Sequence, residues 1–179
     1  MAIYIEVLSQ LAKEAMEPWG AQMNKETQLV LFSSKTGSWA TPQDFFNKLN
    51  WRFGPFSLDP CADSENSKCT KYFTESDNGL SESWEGFTSF VNPPYGRGID
   101  KWIRKAYEES RKSNTKVVML IPARTDTKYW HQYVMKANEV YFVKGRLKFG
   151  DSQNSAPFPS AVVVFDGSHQ QQIFGGMNR

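Results

Sequence analysis

Histidine and cysteine are scarce in this chain, with two of each in 179 residues. Cys61 and Cys69 stand with seven residues between them and no histidine nearby. That spacing indicates neither a zinc site nor a disulfide framework, and it fits a reduced, cytoplasmic compartment. No apolar run approaches the roughly 18 residues that read as a membrane span. The N-terminus lacks the basic-then-apolar pattern of a secretory signal. Internal repeats are absent as well. A formal charge of +2 is too small to announce a nucleic-acid partner by itself.

What is present is a core. With 40% hydrophobic and 15% aromatic residues, the chain can bury one sizeable interior, and its length leaves no room for a second full domain. Lys25 to Ser38 is polar enough to be a loop or linker. The charge is unevenly distributed: residues 1–96 hold seven Lys/Arg against twelve Asp/Glu, while residues 97–149 hold thirteen against five. One reading of that second-half excess is a basic surface, and the other is a solvated helix face around Lys101, Arg104, Lys105, Arg111 and Lys112.

Periodicity divides the chain into elements. Ile3, Val7, Leu8, Leu11 and Ala15 recur at helical spacing before Pro18, so residues 1–31 read as a helical extension and residues 32–179 as a single domain. Thr41-Pro42-Gln43-Asp44 has the form of a helix start, with Thr41 as N-cap and Pro42 at the first helical position; the helix is expected to run to about Asn50. Phe56 to Asp59, Tyr72 to Thr74 and Thr88 to Val91 are short strand candidates. Gly98 to Lys112 carries Ile99, Trp102, Ile103, Ala106 and Tyr107 on one stripe, as a helix lying on a sheet does. Lys116 to Ile121, an apolar run closed by Pro122, reads as a central parallel strand buried on both faces. A helix over Asp126 to Lys136 follows, then strands at Val140 to Val143 and Ala161 to Phe165 with no helix between them, so that the last can run reversed. This order predicts an α/β sandwich with a mainly parallel sheet and a reversed last strand.

The segment with chemistry in it is Asn92-Pro93-Pro94-Tyr95. It follows a predicted strand and precedes the amphipathic helix, at the kind of strand end where open α/β sheets place ligands. Two prolines fix φ at successive residues and remove two backbone donors, leaving a rigid turn rich in acceptors. Such a turn can hold the Asn92 side-chain oxygen and the Pro93 carbonyl so that both accept from one amino group. An aryl amine is a poor nucleophile because its lone pair is delocalised into the ring. Two aligned acceptors favour the pyramidal nitrogen that attacks a sulfonium methyl. Asn92 is neutral, so the turn polarises and positions the amine rather than abstracting its proton. Tyr95 would stack on the base, worth about 1–3 kcal/mol. The alternative is an ordinary turn beside a core tyrosine.

Seven ordered stretches place this turn in context: Phe32-Ser33-Ser34-Lys35-Thr36, Trp39-Ala40-Thr41-Pro42, Leu58-Asp59-Pro60-Cys61-Ala62, Asn92-Pro93-Pro94-Tyr95-Gly96, Pro122-Ala123-Arg124-Thr125-Asp126-Thr127, Gly145-Arg146-Leu147-Lys148-Phe149-Gly150 and Ala156-Pro157-Phe158-Pro159-Ser160-Ala161. Together they resemble the phage-type, Dam-like DNA N6-adenine methyltransferases from about Phe32 to Phe165. The resemblance implies a class I, Rossmann-like methyltransferase sandwich, trimmed at one sheet edge because only about thirty residues separate Asp59 from Asn92. It implies S-adenosylmethionine as cofactor, DNA as partner, no metal and no membrane, in a bacterial host's cytoplasm if the gene is phage-borne. It marks Asp59, Pro60, Cys61 and Ala62 as the cofactor turn, where a carboxylate suits the cofactor's ammonium. The usual glycine-rich version of that turn is absent, and Asp59 capping a turn through Pro60 is the other reading. Trp39, Thr41 and Pro42 look like the family's upstream cofactor segment, or else a helix cap beside a core indole. Asp77 is a candidate for the ribose hydroxyls or a cap of the Gly79 turn. Asn92 also borders the cofactor.

A base inside a duplex cannot reach a buried methyl donor, so the substrate adenine must be single-stranded or extruded. Phosphate contacts then fall to Arg97, Arg124, Lys128, Lys144, Arg146 and Lys148, each of which also reads as plain surface charge. Arg124 has pairing with Asp126, or buttressing the site, as further alternatives. Rival functions are protein-glutamine methylation, cytosine-N4 methylation, and a catalytically silent DNA-binding module of the same fold.

Overall fold

The computed structural model describes residues 40–150, 154–168 and 172–179. The expected N-terminal helix and Trp39 lie outside those residues. The described elements are α1 (Gln43–Phe53), β1 (Leu58–Asp59), β2 (Lys71–Tyr72), β3 (Thr88–Val91), α2 (Ile99–Glu109), β4 (Lys116–Pro122), α3 (Lys128–Gln132), a 3₁₀ turn (Val134–Lys136), β5 (Glu139–Lys144), β6 (Ser160–Asp166) and β7 (Ile173–Asn178). None of the described helices is long and apolar enough to cross a membrane.

The strands form one seven-stranded sheet in the order β2-β1-β3-β4-β6-β5-β7. Pairs β1–β2, β1–β3, β3–β4 and β5–β7 are parallel, and β6 is antiparallel to both β4 and β5. Six strands therefore share one direction and β6 alone is reversed. The helix-free link from β5 to β6 produces the antiparallel pair that its sequence predicts.

Alternation along the strands sorts the core into two faces. Val91, Val117, Met119, Ile121, Val140, Val163 and Phe165 join Ile99, Ile103 and Ala106 of α2 and Trp130 of α3 in one buried cluster. On the other face α1 covers the sheet, with Phe46 edge-on to Phe90 at 5.1 Å and Phe53 against Tyr141 at 5.8 Å. The result is three layers. Helix α2 lies on the sheet by its apolar stripe, but its last turn also buries a charge: Glu109 accepts from the Trp84 N–H and pairs with Lys105 and Lys112, each at 2.8 Å. Burial pushes the Glu109 carboxyl up, and those hydrogen bonds outweigh it and leave the group below its ordinary value. Arg104 pairs with Glu108 at 2.8 Å. Three of the five cations on that helix and its end are thus engaged with glutamates of their own segment.

Four expectations need revision. Thr41 is not an N-cap: Pro42 occupies that position, its carbonyl accepting the Phe46 N–H at 2.9 Å, and the Thr41 hydroxyl is buried without a hydrogen bond among the described residues. The extended ψ of 135° at Pro42 starts the helix one residue later than its proline suggests, and it continues to Phe53 because Phe53 still reaches the core. The helix expected over Asp126 to Lys136 is broken at Tyr133, whose φ of −126° is not helical; the tightened turn after it delivers the chain directly into β5. Reversal falls on β6, inside the sheet, because a seventh strand follows and adds to β5 in parallel.

Candidate active site

The carboxyl ends of β1, β3, β4 and β5 and the amino end of β6 all meet one edge of the sheet, and the quoted stretches that fall within the described residues gather there. At the end of β1, Asp59 is 4% exposed. Its carbonyl accepts the Phe73 N–H at 3.0 Å and its Oδ2 accepts the Lys68 N–H at 3.1 Å. Ala62 N–H donates to the Phe73 carbonyl at 3.0 Å, which closes the turn between β1 and β2. Burial raises the Asp59 carboxyl to about 6, against hydrogen bonds from the Lys68 and Cys61 backbones that pull it down. No Lys or Arg of the described residues forms a salt bridge with it.

Cys61 connects this turn to the next strand. Its thiol is held well above the ordinary value by burial and then by the Asp59 carboxylate, with a hydrogen bond from the Asn92 backbone acting against both. The parallel pairing of β1 with β3 places the Asp59–Ala62 turn and the Asn92–Tyr95 turn side by side. Cys61 and Cys69 are both free thiols.

Within the second turn, Pro93 is buried, Pro94 exposed, and Asn92 and Tyr95 half-buried. The Tyr95 hydroxyl donates to Asn92 Oδ1 at 2.7 Å and lies 3.3 Å from the Leu120 carbonyl. Its ring meets Phe158 edge-on at 5.4 Å and Phe149 at 6.0 Å. Burial raises the Tyr95 phenol well above its ordinary value, with Cys61 adding to the effect, so the hydroxyl stays protonated. Neither phenylalanine stands out as a functional residue in the sequence. The signal available is that Phe149 and Phe158 sit inside two of the seven stretches without any role in the strands on either side.

Backbone hydrogen bonds bring the remaining described stretches to the same place. Gly150 N–H donates to the Ala40 carbonyl at 2.8 Å, tying the β5–β6 loop to the segment that precedes α1. Ala123 N–H donates to the Pro159 carbonyl and Ala156 N–H to the Leu147 carbonyl, at 2.9 and 2.8 Å. Thr41 and Pro42 are therefore brought to the sheet edge that holds Asp59 and Asn92, and Lys68 adds a contact from its ammonium to Gln43 Oε1 at 3.0 Å. Asp77 is elsewhere engaged: its Oδ2 accepts from the Thr74 N–H at 2.8 Å and hydroxyl at 2.7 Å, so this exposed carboxylate caps the turn that begins at Thr74.

The six basic candidates follow the same edge. Arg97 is exposed just after the Asn92–Tyr95 turn, Arg124 and Lys128 follow β4, and Lys144, Arg146 and Lys148 are exposed at and beyond the end of β5. Arg124 carries its own turn, its carbonyl accepting the Thr127 hydroxyl at 2.7 Å. No cluster of His, Cys, Asp and Glu able to hold a metal ion occurs among the described residues.

Comparison with known proteins points to one family. Residues 30–174 match the family model for DNA N-6-adenine-methyltransferase (Dam). A DNA N-6-adenine-methyltransferase of Haemophilus phage HP1 is 31% identical over 135 residues, covering 72% of this chain and 78% of that protein. One of Escherichia phage T1 is 31% identical over 110 residues, covering 61% of this chain and 45% of that protein. The match over residues 30–174, together with a phage relative 31% identical over most of both chains, places this chain in the Dam family of DNA N-6-adenine methyltransferases.

Proposed function

We propose that the protein transfers a methyl group from S-adenosylmethionine to the N6 amine of a specific adenine in DNA, taken single-stranded or extruded from the duplex. S-adenosylmethionine supplies a methyl group made electrophilic by a sulfonium. The chain's own residues suit that ligand: Asp59 is a buried carboxylate with its pKa raised to about 6 and no salt bridge within the described residues, which is the environment a cationic ligand relieves. Pro60, Cys61 and Ala62 belong to the same turn, and Trp39, Thr41 and Pro42 are the upstream segment assigned to the cofactor. Asp77, on the turn that follows β2, is assigned to the neighbourhood of the ribose.

Asn92 Oδ1 and the Pro93 carbonyl accept the two amine hydrogens and turn the nitrogen lone pair toward the methyl group. Asn92 borders the methyl donor as well. Pro94 stiffens the turn, and the exposed part of Tyr95 stacks on the base. Arg97, Arg124, Lys128, Lys144, Arg146 and Lys148 hold the flanking phosphates. Residues 32–179 carry this activity as one domain, with residues 1–31 an addition to it, in the cytoplasm of a bacterial host if the gene is phage-borne.

The single observation carrying the proposal is the parallel pairing of β1 with β3, which sets the turn that follows Asp59 beside the turn that begins at Asn92. The test is incubation with labelled methyl donor and, separately, DNA, RNA and protein, followed by nucleoside analysis. N6-methyladenine in DNA is the expected product. Label in protein glutamine or in cytosine would refute it. Asn92→Ala should abolish turnover and leave S-adenosylmethionine affinity within a few fold; equal loss of both would assign Asn92 to folding.

A further inference from the structure

A primary amide has two ends of nearly the same size and opposite chemistry: Oδ1 accepts and Nδ2 donates. Asn92 can receive an amine only with Oδ1 turned to it, since Nδ2 in that place would set donor against donor. Some neighbour has to choose the end. The Tyr95 hydroxyl is 2.7 Å from Asn92 Oδ1, the ordinary length of an O–H···O bond and shorter than is usual for N–H···O. Rotating the amide would place Nδ2 there instead, and the hydroxyl would have to donate to the Leu120 carbonyl, which at 3.3 Å is beyond the ordinary O–H···O range. The short contact thus favours the orientation with oxygen toward the tyrosine, and an amide oxygen has a second lone pair for another donor.

The hydroxyl can hold this place only if its ring is held. Phe158 and Phe149 meet the Tyr95 ring at 81° and 85°, two edge-on contacts that fix the ring plane. Both lie in the β5–β6 loop, tied back by the Gly150 to Ala40 bond.

We infer that Tyr95 is a positioning residue, bracketed by Phe149 and Phe158, whose hydroxyl fixes the Asn92 amide with its oxygen as the acceptor presented to the amine. This inference rests on the methyl-transfer role proposed for Asn92. It assigns to the Tyr95 hydroxyl a function separate from any stacking by its ring, and it gives the β5–β6 loop a direct part in catalytic geometry.

Tyr95→Phe removes the hydroxyl and keeps the ring between Phe149 and Phe158. At saturating DNA and S-adenosylmethionine, kcat should fall about tenfold or more, with KM for DNA and Kd for S-adenosylmethionine within about threefold of the parent. Asn92→Asp supplies the second background: a carboxylate accepts at either oxygen, so nothing remains to be oriented. There Tyr95→Phe should cost less than about threefold. An unchanged kcat in the single variant, or equal losses in the parent and Asn92→Asp backgrounds, overturns the inference. If the Asn92→Asp protein shows no turnover, the single variant decides alone on the same criterion. Asn92→Ala separates the two levels of argument: turnover retained there defeats the role of Asn92 itself, whereas turnover lost there with Tyr95→Phe fully active defeats only the positioning role.

Discussion

A Cβ placed on Gly79 would lie 2.0 Å from the carbonyl oxygen of Pro60. The glycine is held from its other side too, its own carbonyl accepting the Trp84 indole N–H at 2.9 Å. Gly79→Ala has no flexible neighbour to push aside, so the Asp59–Pro60 turn must move. Overpacking of this kind costs about 1–3 kcal/mol, and here the displaced atoms belong to the proposed cofactor turn. The expected result is a lower melting temperature together with at least a several-fold loss of S-adenosylmethionine affinity in a calorimetric titration. Gly86→Ala is the control: φ is +78° but no atom beyond its own chain neighbours lies within 4 Å of the added methyl, so it should cost stability and leave cofactor affinity alone. Parent-like affinity in Gly79→Ala would remove the Pro60 turn from the cofactor site.

Asp59 ties the proposed cofactor site to pH and to stability. Its folded-state carboxyl is raised from 3.8 to about 6 by burial. A cationic ligand favours the ionised form, so S-adenosylmethionine affinity should be flat from pH 7.5 down to about 6, then decline toward tenfold per pH unit as Asp59 takes up its proton. For stability the sign is opposite to that of a salt-bridged carboxylate. The folded state binds the proton more tightly than the unfolded state, so stability decreases as pH rises between about 4 and about 6. A shift of this size corresponds to an upper bound of about 3 kcal/mol at pH 7. Asp59→Asn, which keeps an acceptor for the Lys68 N–H, should therefore be more stable than the parent at pH 7, equally stable near pH 4, and poor at binding S-adenosylmethionine at either pH. Denaturant unfolding at the two pH values, paired with a titration of each protein, checks all three. A variant less stable at pH 7 would mean that the carboxylate is stabilised by its surroundings rather than strained by burial.

Much of this arrangement is legible from residues alone, for definite reasons. The stripe from Ile99 to Tyr107 has the period of a helix lying on a sheet, and the run from Val117 to Ile121 is short, rich in β-branched residues and closed by Pro122 as a doubly buried strand is; both elements are found there. Asn92-Pro93-Pro94-Tyr95 is legible because proline restricts the backbone locally, whatever the rest of the fold does. Strand β7 is not, since Gly175 and Gly176 interrupt its pattern. Gly175 faces the Tyr141 ring, with the nearest ring atoms 3.2 Å from where a Cβ would stand, and that contact is invisible in one dimension. The same holds for the bracket around Tyr95. Phe149 and Phe158 are more than fifty residues away from it along the chain and are delivered by a loop whose composition carries no period.

The basic edge separates phosphate contacts from charge that is merely exposed. If Arg97, Arg124, Lys128, Lys144, Arg146 and Lys148 hold DNA, each contacted phosphate releases counterions and contributes about 0.9 to the slope of log affinity against log salt. Lys144→Ala, Arg146→Ala and Lys148→Ala combined should then reduce that slope by up to roughly 3 and weaken binding with little dependence on sequence. Arg104 is the internal comparison, since it is exposed on α2 but already pairs with Glu108 at 2.8 Å. Arg104→Ala should leave the slope unchanged. Fluorescence anisotropy of a labelled duplex over a salt series distinguishes the cases directly. Should the triple variant keep the parent slope while Arg104→Ala reduces it, the DNA would lie along α2 rather than across the carboxyl ends of the strands, and the adenine would have no route to Asn92 from that face.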